Sequence, residues 1–193
     1  MTARPTQQQV SSTILDVGKR NKKTAVAIAL ALSVAATEGT RLTVYDDGLG
    51  IPTVCMGKTG KDVQFGQPAR TLPECAQGLF ERLETNHQFL VAKLPVIKTS
   101  AGPIGFEQLT EGEQQAYNLL LDNLGTGKKG VKDGLFALKV SGEESTMMKL
   151  LRQGRRREAC AQIMQWLKPK WMPGIEKRRT HETALCLRDL GPV

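Results

Sequence analysis

The sequence predicts a mainly helical α+β fold with a small β-hairpin lobe and a helical C-terminal lobe. Aromatic residues make up only 5% of the 193 residues, and alanine and leucine are plentiful, a composition that favours helices over an all-β sandwich. One stretch, residues 42–54, has short β-branched runs around a turn signal. With 40% hydrophobic residues, the chain is long enough to bury a core in one domain or in one domain of two lobes.

The N-terminal region is predicted to be a basic, partly disordered extension, residues 1–23, ahead of a folded domain of residues 24–193. Residues 1–9 are polar, so we expect disorder there, and helical spacing of apolar residues begins at Val10. Residues 24–37 are uncharged and follow a basic cluster, as in a signal peptide or membrane anchor. They number 14, fewer than the ~17–25 that span a bilayer. A buried helix is therefore the favoured interpretation, with membrane contact as the alternative.

A hairpin and a long helix are predicted next. The Asp-Asp-Gly sequence at residues 46–48 separates two short runs of apolar and β-branched residues, which indicates two strands around a turn. A capping-box pattern begins at Thr71, and apolar residues at helical spacing continue to Leu94, with a proline directly after. His87 lies beside this apolar stripe, and a position at the border of the core is favoured over a catalytic role.

Shorter helices are predicted in the C-terminal half, over residues 110–124, 143–153, 155–167 and 175–190, with an extended piece at 135–140. The Gly- and Lys-rich segment 125–134 lacks the GxxxxGK[ST] order of a phosphate-binding loop, and no hydrophobic strand leads into it, so no nucleotide site is expected. Residues 155–157 are three arginines in the first turn of a predicted helix, where cations oppose the helix dipole. We interpret them as binding residues, with a solvated basic surface as the alternative.

Charge and cysteine usage restrict the classes of partner and site. The formal net charge of +8 is the sum of +4 for residues 1–37, −3 for 38–148 and +7 for 149–193. Basic ends attract anionic polymers, and nucleic acid, anionic lipid and bacterial cell wall all fit the charge.

No CxxC pair is present and there are only two histidines, so neither a metal nor a cofactor is expected. If the four cysteines pair, the sequence-local disulfides Cys55–Cys75 and Cys160–Cys186 are favoured, with reduced buried thiols as the alternative.

The candidate catalytic groups lie in residues 38–60. Hydrolysis of a glycosidic bond uses one carboxylic acid to protonate the leaving oxygen and one carboxylate to activate water or attack the sugar. Glu38 ends the apolar helix, where burial would favour its protonated form, whereas Asp47 lies in a polar turn that favours the ionised form. Thr53 offers a hydroxyl to hold the attacking water, and Asp46 competes with Asp47 for the second role.

These residues and several later motifs resemble the signature of the phage-type lysozymes, glycoside hydrolase family 24, especially the endolysins of lambdoid phages. The shared positions follow the family order from residue 36 to residue 188: Glu38-Gly39, Tyr45, Asp47, Gly50, Thr53-Val54-Cys55, Gly57, Thr59-Gly60, Glu74-Cys75, Asn123, Gly125, the segment 145–150, Glu158-Ala159-Cys160, Pro173-Gly174-Ile175, Arg178-Arg179, Glu182 and Leu185-Cys186.

The resemblance implies a lysozyme-like catalytic domain over residues 24–193. Its expected activity is that of an N-acetylmuramidase, which hydrolyses the β-1,4 bond between N-acetylmuramic acid and N-acetylglucosamine and thereby lyses bacteria. Glu38 would be the general acid, and Asp47 and Thr53 would position water for an inverting displacement. The expected partner is the glycan strand of peptidoglycan, with no nucleic acid, and the expected state is a monomer. The expected place of action is the bacterial periplasm after synthesis in the host cytoplasm, with the export route left open.

The sequence departs from the family pattern at two positions beside Thr53, and two alternative functions remain open. Met56 and Lys58 stand where the family commonly has Tyr and His, which predicts different substrate contacts beside Thr53. One of Arg178 and Arg179 would form an ion pair near the cleft, although a structural role is favoured. A lytic transglycosylase, which needs the acid but no water-activating aspartate, and a non-catalytic basic binding module are the alternative functions.

Overall fold

The computed structural model describes residues 4–167 and 174–191, and the chain divides into two compact units, Met1–Glu84 and Thr85–Val193. The fold is mostly helical with one small antiparallel sheet, as predicted. The elements are α1 Gln7–Arg20, α2 Ala25–Glu38, β1 Arg41–Asp46, β2 Pro52–Cys55, α3 Leu72–Lys93, a 3₁₀ helix Phe106–Gln108, α4 Glu111–Leu124, α5 Thr146–Arg152, α6 Arg156–Ala161, a second 3₁₀ helix Gln162–Gln165 and α7 Ile175–Arg188.

The first unit begins with two packed helices. Helix α1 starts three residues before the predicted Val10, because Thr6 and Gln9 form a capping box that satisfies the first backbone amides. It packs on α2, and Gly18 permits the close approach, since a Cβ there would lie 2.8 Å from a side-chain atom of Ile28. Residues 7–9, which we predicted to be disordered, are therefore helical.

Helix α2 covers almost all of the uncharged segment. It is capped by Thr24, buries one face that includes Leu30 and Val34, and ends at Glu38, where Gly39 adopts a positive φ of 68°. The predicted helix is confirmed. No helix in residues 4–167 and 174–191 combines the length and the apolar character that a membrane crossing requires.

The hairpin β1–β2 follows α2 directly. Tyr45 pairs with Thr53 and Asp46 with Pro52, and the register shifts between Arg41 and Tyr45. A disulfide between Cys55 and Cys75 joins the end of β2 to the first turn of α3. The predicted pairing is confirmed, and it fixes the hairpin to the longest helix of the chain.

The second unit is organised around α4, whose Tyr117 and Leu120 are fully buried. The predicted disulfide Cys160–Cys186 is confirmed and links α6 to α7. Two predictions change in detail. The predicted extended piece 135–140 forms no named strand and has one isolated bridge, from Ala137 to Glu144. Helix α5 begins at Thr146, three residues later than predicted, because Ser145 is its N-cap and accepts the amide of Met148 at 3.3 Å.

The three arginines at residues 155–157 are engaged within the protein, which corrects their interpretation as binding residues. Arg155 pairs with Glu158 at the surface, and Arg156 pairs with the buried carboxylate of Glu113. Arg157 donates to the main-chain carbonyl of Leu190 at 2.6 Å. These acceptors, two of them distant in sequence, therefore offset the unfavourable position of the cations at a helix N-terminus.

Candidate active site

The turn that joins the two strands holds Asp47 in a fixed orientation. One carboxylate oxygen of Asp47, Oδ1, accepts the backbone amides of Leu49 at 2.8 Å and Ile51 at 3.2 Å. The other oxygen, Oδ2, forms no hydrogen bond within residues 4–167 and 174–191. Because the residue is exposed, this oxygen faces solvent and can accept a hydrogen bond from a water molecule or a sugar.

Thr53 and Asp47 are connected through the carbonyl of Ile51. The Asp47 amide donates to this carbonyl at 3.3 Å, and the Thr53 hydroxyl donates to it at 3.1 Å. Thr53 lies in β2 with only 4% of its surface exposed. The hydroxyl proton of Thr53 is therefore used in the bond to Ile51, and the lone pairs of the hydroxyl oxygen can accept a hydrogen bond from a further partner.

Glu38 lies at the C-terminal end of α2 and is half-buried. Its carboxyl group packs against Gly57, since a Cβ built on Gly57 would lie 3.3 Å from both Cδ and Oε2 of Glu38. Gly57 has a φ of 73°, a conformation that favours glycine on its own account. Glycine at residue 57 therefore allows the positive φ of the turn and also leaves room for the carboxyl group of Glu38.

Tyr45 lies within electrostatic range of both carboxylates. Burial of its ring raises the pKa of the phenol, and the negative charges of Glu38 and Asp47 raise it further, while Arg41 lowers it. The Arg41 guanidinium covers the ring at 4.1 Å from its centroid. Tyr45 is therefore a neutral hydrogen-bond donor at physiological pH. The predictions assigned no role to it, and Arg41 carried no recognisable signal in the sequence.

The chain after β2 is held against α3. Val54 and Lys58 exchange backbone hydrogen bonds of 2.9 and 2.8 Å, and the Arg82 guanidinium donates to the Met56 carbonyl at 2.9 Å. Together with the disulfide at Cys55, these contacts fix the backbone on both sides of Gly57. Arg82 is a supporting residue that the predictions missed.

The two positions that depart from the family pattern have different environments. Met56 is buried at 1% exposure and contributes to the core of the first unit. Lys58 pairs with Asp62 at 2.6 Å, and this hydrogen bond lowers the pKa of the Asp62 carboxyl. The three predicted catalytic residues, Glu38, Asp47 and Thr53, all lie in the first unit. Among the described residues, no group of His, Cys, Asp or Glu has the arrangement of a metal site.

Other candidate residues have structural environments in the second unit. Arg179, at 2% exposure, pairs with Glu182 and donates to the Trp166 carbonyl at 3.1 Å. This buried network supports the structural role that we favoured for one of the two arginines. His87 contacts the ring of Phe106 edge-on with a centroid distance of 5.3 Å, as expected for a histidine at the border of a core.

Comparisons with known proteins bear on the family and the fold of the chain. The family model described as phage lysozyme matches residues 35–182. A SAR-endolysin of Enterobacteria phage P21 is 30% identical over 172 residues, which are 84% of this chain and 88% of that protein. The active form of the P1 phage endolysin Lyz superposes with a TM-score of 0.71 at 17% identity, covering 99% of this chain and 98% of the other. The muramidase domain of SpmX from Asticaccaulis excentricus gives a TM-score of 0.57 at 20% identity, covering 85% and 96%.

Proposed function

The chain belongs to the phage lysozyme family, and from that premise we propose that Glu38, Asp47 and Thr53 carry its catalytic chemistry. The protein is a lysozyme that degrades peptidoglycan. The bond attacked is the β-1,4 linkage between N-acetylmuramic acid and N-acetylglucosamine, and the products of the reaction have inverted anomeric configuration.

The proposed mechanism uses one proton donor and one water site. Glu38 protonates the glycosidic oxygen as the bond to the sugar breaks. Asp47 accepts a proton from water through its solvent-facing Oδ2, and Thr53 accepts a hydrogen bond that orients the same water. The observation that supports this division is the shared carbonyl of Ile51, which ties the Asp47 backbone and the Thr53 hydroxyl to one point of the hairpin.

The place of action follows from the substrate. The cell wall lies outside the inner membrane, so we propose that the protein is made in the host cytoplasm and acts in the periplasm as a monomer. Residues 24–193 form the catalytic domain in this proposal, and residues 1–23 are an extension. The P21 relative carries the name SAR-endolysin. Membrane contact of this chain through residues 24–37 stays the less favoured alternative.

Two isosteric substitutions test the assignment. Glu38→Gln removes the acidic proton and Asp47→Asn removes the base, so each should lower the rate of clearing of purified peptidoglycan at least ~100-fold. Circular dichroism and thermal unfolding should match the unmodified protein. Asp16→Asn, an exposed carboxylate on α1, is the control and should keep full activity. Full activity in either Glu38→Gln or Asp47→Asn would refute the assigned role.

A further inference from the structure

Two adjacent aspartates share the backbone amides of the active-site turn. All four amides of residues 48–51 donate to two carboxylate oxygens, in alternation along the chain. Asp46 Oδ1 accepts the amides of Gly48 at 2.7 Å and Gly50 at 2.8 Å. Asp47 Oδ1 accepts the amides of Leu49 at 2.8 Å and Ile51 at 3.2 Å.

The geometry points to Asp46 as a positioning residue that acts through its hydrogen-bond acceptor and not through its charge. This inference rests on the proposed role of Asp47 and deepens it. Asp46 holds the turn, the turn amides hold Asp47 Oδ1, and Asp47 Oδ2 is thereby left to accept a hydrogen bond from water or a sugar. The two carboxylates have different tasks although they are neighbours in the sequence.

The turn needs this support because of its composition. Gly48 and Gly50 have φ values of 93° and 79°, and glycine has more backbone freedom than any other residue. The whole segment 46–51 is exposed, so packing does not restrict it. Aspartate side chains commonly bond backbone amides two residues further along the chain, and here that bond repeats at four residues.

The inference predicts opposite results for two substitutions of one residue. Asp46→Asn keeps an oxygen acceptor at the Oδ1 position and should retain kcat within about twofold. Asp46→Ala removes both hydrogen bonds, so kcat should fall at least about tenfold, because small displacements of a catalytic group are costly. The apparent KM for soluble peptidoglycan chains should stay within about twofold in both variants. Because unfolding of part of the Asp46→Ala sample would also lower the rate, kcat is calculated per folded protein, with the folded fraction measured by circular dichroism.

A matched control and a second measurement complete the test. Asp133→Ala removes a comparable bond in the second unit, from the Lys139 amide to Asp133 Oδ1 at 2.6 Å, and should leave kcat unchanged. Amide exchange with solvent, measured by NMR at Gly48 and Gly50, should accelerate in Asp46→Ala and remain at the original rate in Asp46→Asn. This readout does not depend on activity.

Each outcome bears on a separate claim. Equal loss of kcat in Asp46→Asn and Asp46→Ala would show that the charge of Asp46 is required and would overturn the inference. Full kcat in Asp46→Ala would overturn it as well. If Asp47→Asn retained activity, the proposed catalytic role of Asp47 would fail, while the exchange rates would still report whether Asp46 holds the turn.

Discussion

Substitution of Gly57 by alanine tests whether the Glu38 carboxyl group depends on the turn after β2. A Cβ at residue 57 would lie 3.3 Å from Cδ and Oε2 of Glu38, so the carboxyl group would have to move by a few tenths of an ångström. An alanine at the positive φ of 73° is strained in the folded state, which lowers the free energy of unfolding by about 1–2 kcal/mol. We expect both effects, a less stable protein and a kcat about tenfold lower, equivalent to about 1.4 kcal/mol in the barrier.

A second glycine separates the two effects. Gly66 also has a positive φ, 82°, but a Cβ there would meet no atom within 4 Å. Gly66→Ala should therefore lose similar stability and keep its kcat. The assay is the rate of clearing of purified peptidoglycan at a temperature where both variants are folded, with urea unfolding to measure stability. Equal kcat values in the two alanine variants would refute the claim that Gly57 makes room for Glu38.

Two further predictions concern stability. Replacing Cys55 and Cys75 by serine removes a disulfide that closes a loop of 20 residues. The chain-entropy relation gives a loss of about 3 kcal/mol in the free energy of unfolding, which urea titration measures. A loss below about 1 kcal/mol would contradict this. Arg156→Ala leaves the fully buried Glu113 carboxylate without its guanidinium and should cost about 3 kcal/mol, whereas Arg155→Ala breaks an exposed pair with Glu158 and should cost less than about 1 kcal/mol. Equal losses in the two arginine variants would count against the burial argument.

Local signals in the sequence predicted much of the fold. Capping boxes and apolar spacing identified the helices that begin near Thr71 and Thr110, because these features act within a few residues. The end of α2 at Glu38 and the hairpin turn at Asp47 followed from the same kind of signal. The disulfide pairs were also predicted, although sequence alone left the reduced state open.

Long-range contacts account for what could not be predicted. The pairing of Arg156 with Glu113 joins residues 43 positions apart, so the arginine cluster resembled a binding surface when only the sequence was considered. The contact between Glu38 and Gly57 likewise depends on how α2 and the hairpin pack. Asp46 competed with Asp47 for the catalytic role because nothing local distinguishes two adjacent carboxylates. Both carboxylates accept amides two and four residues further along the chain, and the feature particular to Asp47 is that its amide shares the Ile51 carbonyl with the Thr53 hydroxyl.

The masses of the fragments released from purified peptidoglycan test the central claim most directly. A hydrolase in which Asp47 activates water adds one water molecule at each cleaved bond, so the fragments should end in reducing N-acetylmuramic acid. Asp47→Asn should release none of these fragments above background. Fragments with 1,6-anhydro ends, each lighter by one water molecule, would contradict the account, because they form without an activated water and identify a lytic transglycosylase.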